Sequence, residues 1–257
     1  MPHFQVNGIN LFADETGEGP AIVFAHGRGG NHMSWWQQVP AFADRFRCIT
    51  FDHRSFGMSY DLPEGPGQDA FIDDLESLLD QLKVSRTVLV AQSMGGYTAL
   101  GFALRNPARV AGLVLADTTA GVAIPEILMA REEVGYPPQL MDRVLSPKFQ
   151  RKNPQYAFLY RQIEAVNHIG KEPAPRSRKG LNGGATRKDL QGCSVPTLFI
   201  AGTEDVITPP RIVGMLAQLI PGARLEIIRD AGHSAYFEKP EEFNWILERF
   251  LDELEYR

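Results

Sequence analysis

The 257 residues include only two cysteines, Cys48 and Cys193. They lie far apart and beside apolar segments, so buried free thiols are expected rather than a disulfide. Long apolar runs are also missing. No stretch reaches the roughly 18 consecutive apolar residues of a membrane helix. Residues 1–8 have neither the basic nor the apolar region of a secretory leader, and a cytoplasmic protein without membrane contact is expected. Net charge is −5, which leaves no basic footprint for nucleic acid. Gly27-Arg28-Gly29-Gly30 lacks the Lys-Ser/Thr of a phosphate loop and the spacing of a dinucleotide fingerprint, so no cofactor is expected. His26, His32, His53 and Asp52 match no metal-ligand spacing, so no metal is expected either.

What is present is a chain that is 44% hydrophobic, enough for one large core. Asn7-Gly8 between two short apolar runs predicts a hairpin with a type I′ turn. Strands are predicted at 21–25, 48–51, 87–90, 110–116, 197–201 and 225–228; 21–25 is fully apolar, the kind buried on both faces of a parallel sheet, and 87–90 and 110–116 also read as buried. Helical spacing predicts helices over 34–44, 71–82, 97–105, 210–219 and 240–254. The alternation argues for an open α/β sheet covered by helices. Between about 118 and 192 the rhythm breaks. Helical pieces at 124–133 and 155–167 and a basic loop replace it, which predicts an inserted helical cap. Its Met129, Tyr136, Met141, Phe149, Tyr156, Phe158 and Tyr160 would roof an apolar pocket.

The chemistry centres on Ala91-Gln92-Ser93-Met94-Gly95-Gly96, set between a strand and a helix. Small neighbours allow a turn so tight that Ser93 is strained with its Oγ exposed, and the Met94 N–H sits at a helix N-terminus. The motif departs from Gly-x-Ser-x-Gly only in Ala91. A glycine-rich turn, or Ser93 as a helix N-cap, is the plainer account. Three other polar clusters end predicted strands: His26-Gly27-Arg28, Glu204-Asp205 and Gly232-His233. A serine hydroxyl needs an imidazole to take its proton, the imidazole needs a carboxylate, and the tetrahedral intermediate needs N–H donors. Asp117, which also ends a strand, rivals Asp205 as that carboxylate. His26 is expected to bond the loop that it begins.

With these motifs, the loop 51–59 and Glu238-Lys239-Pro240 after His233, the sequence resembles the α/β-hydrolase superfamily over nearly its whole length. It is most similar to small capped serine hydrolases: 3-oxoadipate enol-lactonases, carboxylesterases and meta-cleavage product hydrolases. Ser55 stands where that family usually has glycine. The resemblance implies an eight-stranded, mainly parallel sheet, a core of 1–117 and 193–257, and a cap of 118–192. It implies Ser93 as nucleophile, His233 as base and Asp205 as its orienter, with oxyanion donors at Arg28 and Met94. Substrate contacts are expected at Trp35, Trp36, Tyr136 and Phe158, with core packing the alternative for one tryptophan. The basic stretch 171–188 is either solvated surface or, at Arg176 or Arg178, a site for a substrate carboxylate. The expected activity is ester or lactone hydrolysis by a monomer or homodimer. Cleavage of a C–C bond in a dienone, or a non-catalytic small-molecule receptor, is the alternative.

Overall fold

Asn7 and Gly8 both have positive φ, 42° and 84°, as a two-residue hairpin turn requires. The computed structural model describes residues 2–135, 137–167 and 184–257. It begins with an antiparallel hairpin of β1 (His3–Val6) and β2 (Ile9–Thr16), closed by the pair Val6 and Ile9. Strand β2 also runs antiparallel to β4 (Arg47–Phe51). The remaining pairings are parallel and join β3 (Ala21–Ala25), β4, β5 (Thr87–Gln92), β6 (Val110–Ala116), β7 (Thr197–Gly202) and β8 (Arg224–Ile228). The spatial order is β1-β2-β4-β3-β5-β6-β7-β8. It is the eight-stranded, mainly parallel sheet expected. The chain steps from β3 to β4, then back past β3 to β5. Such a reversal opens a crevice at the strands' carboxyl ends.

Alternation along each buried strand feeds two cores. Val23, Leu89, Leu113 and Phe199 face one way, against α2 (Phe71–Gln81), α3 (Gly95–Arg105) and α9 (Pro210–Ala217). Phe24, Val90, Val114 and Ile200 face the other way, against Trp35, α1 (Val39–Phe42) and α11 (Pro240–Glu253). Each such side chain contributes about 1.5–3 kcal/mol by leaving water. Gly112 lets α11 close on β6, because a Cβ there would lie 2.5 Å from Leu254 Cδ1.

The helix predicted over 34–44 is instead a 3-10 turn at His32–Trp35 followed by the single turn α1. Pro40 explains the break: it has no N–H to continue a helix, and it sits in the first turn of α1. The β6–β7 connection holds α4 (Pro125–Glu132), α5 (Leu140–Val144), α6 (Pro147–Lys152), α7 (Pro154–Ala165) and α8 (Arg187–Gln191), with no strand among its described residues. A short α10 (Ala235–Glu238) precedes α11. Among the described residues no helix is long and apolar enough to cross a membrane.

The loop after β4 is anchored by Arg54, which is 1% exposed. Its guanidinium bonds Asp74 on α2 in a fork, at 2.6 and 2.7 Å, and Asp61 at 2.8 Å. Ser55 beside it has φ 70°, the left-handed region that the glycine usual there occupies more easily.

Candidate active site

Ser93 has φ 50°, a strained value for a residue with a side chain, worth on the order of 1–3 kcal/mol. The ladder forces it: Ser93 N–H still donates to Ala116 O as β5 continues, and the chain must turn into α3 two residues later. Only glycine allows that turn. A Cβ on Gly95 would lie 2.3 Å from Ala25 O, and one on Gly96 would lie 2.6 Å from Thr118 Oγ1. The Thr118 hydroxyl donates to Ser93 O at 2.6 Å. Ala91 is wholly buried, and its methyl group packs in the core where the motif usually has glycine.

Ser93 Oγ lies 2.8 Å from His233 Nε2, and His233 Nδ1 lies 2.9 Å from Asp205 Oδ2. Asp205 follows β7 and His233 follows β8, so three loops at one sheet edge supply the line. The Asp205 carboxylate is fixed by three donors: Ile207 N–H at 2.7 Å, Thr208 N–H at 2.9 Å and the Thr208 hydroxyl at 2.7 Å. Burial pushes its pKa up, but His233 and these donors outweigh burial and hold it below the ordinary value.

Asp117 does not reach the imidazole. One oxygen accepts Gly202 N–H and the other accepts Ala235 N–H, each at 3.0 Å. It ties the end of β7 to the histidine's turn. Burial first, and the charge of Asp205 second, push its pKa well above the usual carboxylate range.

The loop after β3 passes the serine closely. A Cβ on Gly27 would sit 3.1 Å from Ser93 Cβ and 1.9 Å from Gln92 Oε1. The Gly27 carbonyl accepts from Gly30 N–H at 3.0 Å and from His26 Nδ1 at 2.8 Å. In a trans peptide the next N–H, that of Arg28, points the opposite way. A carbonyl can only accept, so His26 carries its proton on Nδ1, and Nε2 accepts the His53 backbone N–H at 3.0 Å. His53 Nδ1 lies 3.1 Å from the same nitrogen, and its Nε2 accepts from the Thr98 hydroxyl at 2.9 Å.

Burial lowers His26 to about 4 and His53 well below 6.5. Both rings are therefore neutral in the fold. Between pH 6.5 and 4 the unfolded chain takes up protons that the folded chain does not. Stability is fully present above 6.5 and is lost as pH falls through 4. The expected slope approaches about 1.4 kcal/mol per pH unit for each ring. Denaturant melts from pH 7 to 4 check this, and a His53→Gln variant should show a shallower acid slope.

The profile of the alpha/beta hydrolase fold family matches residues 20–164 and 156–240. The chain belongs to the α/β-hydrolase family. It is 30% identical to 3-oxoadipate enol-lactonase 1 of Acinetobacter baylyi over 243 residues, covering 92% of this chain and 90% of that protein. The enol-lactonase structure from Burkholderia xenovorans superposes with a TM-score of 0.83 at 29% identity, covering 98% of this chain and 100% of that one. A thermophilic esterase from Thermogutta terrifontis gives 0.81 at 30% identity, covering 96% and 94%. These relatives support a hydrolase of the α/β fold.

Within this α/β-hydrolase chain the expected substrate contacts fare unequally. Trp35 is a correction: it is wholly buried and packs on Phe24 and Tyr236, at ring centroids of 5.2 and 4.6 Å, as part of the core. Trp36 is 37% exposed and faces Tyr156 and Phe237. On α7, Phe158 is 57% exposed and Tyr156, against Trp36, is 39% exposed, while Tyr160 packs on Phe237 at a ring-centroid distance of 5.1 Å. Tyr160 reaches the site's edge, its hydroxyl 3.1 Å from Ser234 Oγ. Tyr136, Arg176 and Arg178 lie outside the described residues.

Sequence reasoning missed three residues that hold the site. Gln92 Nε2 donates to the His233 carbonyl at 2.7 Å. Thr208 buttresses Asp205, and Asn167 bridges two loops, donating to Gly29 O at 2.6 Å and accepting Gly57 N–H at 2.7 Å. Gln92 was findable, because its place beside Ser93 on a strand end sends its side chain to the opposite face. Nothing in the local sequence marks the other two.

Proposed function

We propose that this hydrolase cleaves small esters or lactones through an acyl-enzyme on Ser93. The observation that carries the proposal is the unbroken line Ser93 Oγ, His233 Nε2, His233 Nδ1, Asp205 Oδ2, with contacts of 2.8 and 2.9 Å. Its order fits the chemistry. His233 takes the Ser93 proton as Oγ attacks the carbonyl carbon. Asp205 accepts the Nδ1–H and stabilises the imidazolium. The oxyanion is held by the N–H groups of Arg28 and Met94, each donor contributing on the order of 3 kcal/mol. His233 then returns the proton to the leaving alkoxide or enolate. Water, deprotonated by His233, attacks the acyl carbonyl and releases the acid. The Arg28 donor is supported by the pinned Gly27 carbonyl, and the Met94 donor by its place at the start of α3.

Residues 118–192 serve as a cap over this line, a role supported by the bond from Tyr160 to Ser234 and by Asn167 on the loop after β3. The enol-lactonase and esterase relatives favour a small carboxylic ester, an enol-lactone foremost. The experiment is a panel of p-nitrophenyl acetate and butyrate, short lactones and a ring-cleavage dienone, with fluorophosphonate labelling mapped by mass spectrometry. Ester or lactone turnover with the label on Ser93 is expected. Turnover of the dienone alone would replace acyl transfer by C–C hydrolysis, and labelling elsewhere would remove Ser93 from the role.

A further inference from the structure

Three side chains hold the turn that carries His233. Gln92 bonds the His233 carbonyl, Asp117 accepts the Ala235 N–H, and Glu238 accepts the Gly232 N–H at 3.0 Å. The first two come from strand ends of the sheet. Glu238 differs, because the same carboxylate also grips the β6–β7 connection. Its Oε1 accepts the Ser146 N–H at 2.9 Å and its Oε2 accepts the Ser146 hydroxyl at 2.7 Å. Ser146 in turn caps α6, its Oγ accepting the Phe149 N–H at 3.2 Å. Glu238 is 5% exposed and Ser146 1%.

The approach is closest at Gly232, where a Cβ would fall 2.7 Å from both Glu238 Oε1 and Ser146 N. The Ser146 peptide therefore packs directly on the residue before His233. No acyl-transfer step uses Glu238, and a buried carboxylate is costly to keep without surrounding donors. Two of the three groups bonded to it, the Gly232 and Ser146 N–H, can only donate, and the Ser146 hydroxyl donates to the ionised form. A protonated carboxyl would turn its hydrogen toward the Ser146 hydroxyl and reverse that bond. The charged and titratable groups facing it are Glu204 and Asp117 from the strand ends and Tyr160 from α7. Burial raises the Glu238 pKa to about 7, against the pull of its bonds from Ser146 and Gly232.

We infer that Glu238 is a positioning residue for His233, clamping the histidine's turn to the Ser146 end of α6. The imidazole stays in line with Ser93 only while that end is seated. The inference rests on the acyl-transfer reading, in which His233 is the base.

The test compares wild type with E238Q, S146A and the double variant. E238Q keeps one acceptor oxygen but turns an amide donor toward Ser146. At pH 8 its kcat on p-nitrophenyl butyrate is expected to fall about tenfold, with KM within about twofold of wild type. The wild-type acid limb of kcat/KM should reflect two protonations, and that of E238Q one. Both substitutions cut the same link, so the double variant should be no slower than E238Q. The downfield proton resonance of His233 Nδ1–H reports the imidazole's seat without substrate. It should be sharp in wild type at pH 8 and broadened in E238Q and S146A. A lowered Tm with kcat, acid limb and resonance all unchanged would reduce Glu238 to packing and overturn the inference. Absence of ester turnover in wild type would count against acyl transfer alone and leave the resonance to decide on Glu238.

Discussion

A Ser93→Ala variant is expected to lose about 10⁴-fold or more in kcat on any ester that the wild type cleaves, with KM within a few-fold. The alanine removes the hydroxyl that the proposed reaction acylates, while His233 and Asp205 keep their own contact. The proposed donors at Arg28 and Met94 are backbone groups and survive the substitution, so a residual rate above the uncatalysed one should persist. Stability should not fall, because φ 50° is no harder for alanine than for serine and, among the described residues, Ser93 Oγ bonds His233 alone. Stopped-flow with p-nitrophenyl acetate checks it: the wild type should show a burst of nitrophenolate and the variant none. A variant that kept a tenth of wild-type kcat would place the nucleophile elsewhere.

Strands β3 to β7 were legible because they are buried on both faces, whereas β8 at the end of the sheet is exposed or half-buried at all but its last residue. Runs such as 21–25 and 110–116 are apolar throughout, as a strand covered on both faces requires. The elbow was legible because a turn from strand to helix within three residues tolerates only small side chains around Ser93. The connection from β6 to β7 was harder to read. Helices α5, α6 and α8 have five or six residues, too few for a 3.6-residue period to declare itself. Periodicity alone separates Phe158 from Tyr156 and Tyr160, which lie four apart on one helix face. The choice between Trp35 and Trp36 depends on where α11 and Tyr236 pack, some 200 residues away in the chain. Local pattern carries no such information.

The same gap left two carboxylates competing, since Asp117 and Asp205 both end parallel strands. Their surroundings separate them. In Asp205→Asn, one amide oxygen can still accept the Ile207 and Thr208 N–H groups, which turns the amide nitrogen toward His233 Nδ1. That nitrogen donates. His233 must then accept on Nδ1 and carry its proton on Nε2, facing Ser93, where it cannot take another. The expected loss is about 10⁴-fold in kcat. Asp117→Asn breaks no contact to the imidazole. Asparagine also tolerates the φ of 49° found there better than most residues. It leaves one N–H, of Gly202 or Ala235, without an acceptor, at a cost of about 1–3 kcal/mol in stability. Its kcat should stay within about tenfold of wild type, because Gln92 and Glu238 still hold the turn. Steady-state kinetics on one ester, with urea melts of both variants, decide the matter. Equal kinetic losses would mean that Asp117 shares the charge of the imidazolium, and a larger loss at Asp117 would exchange the two roles.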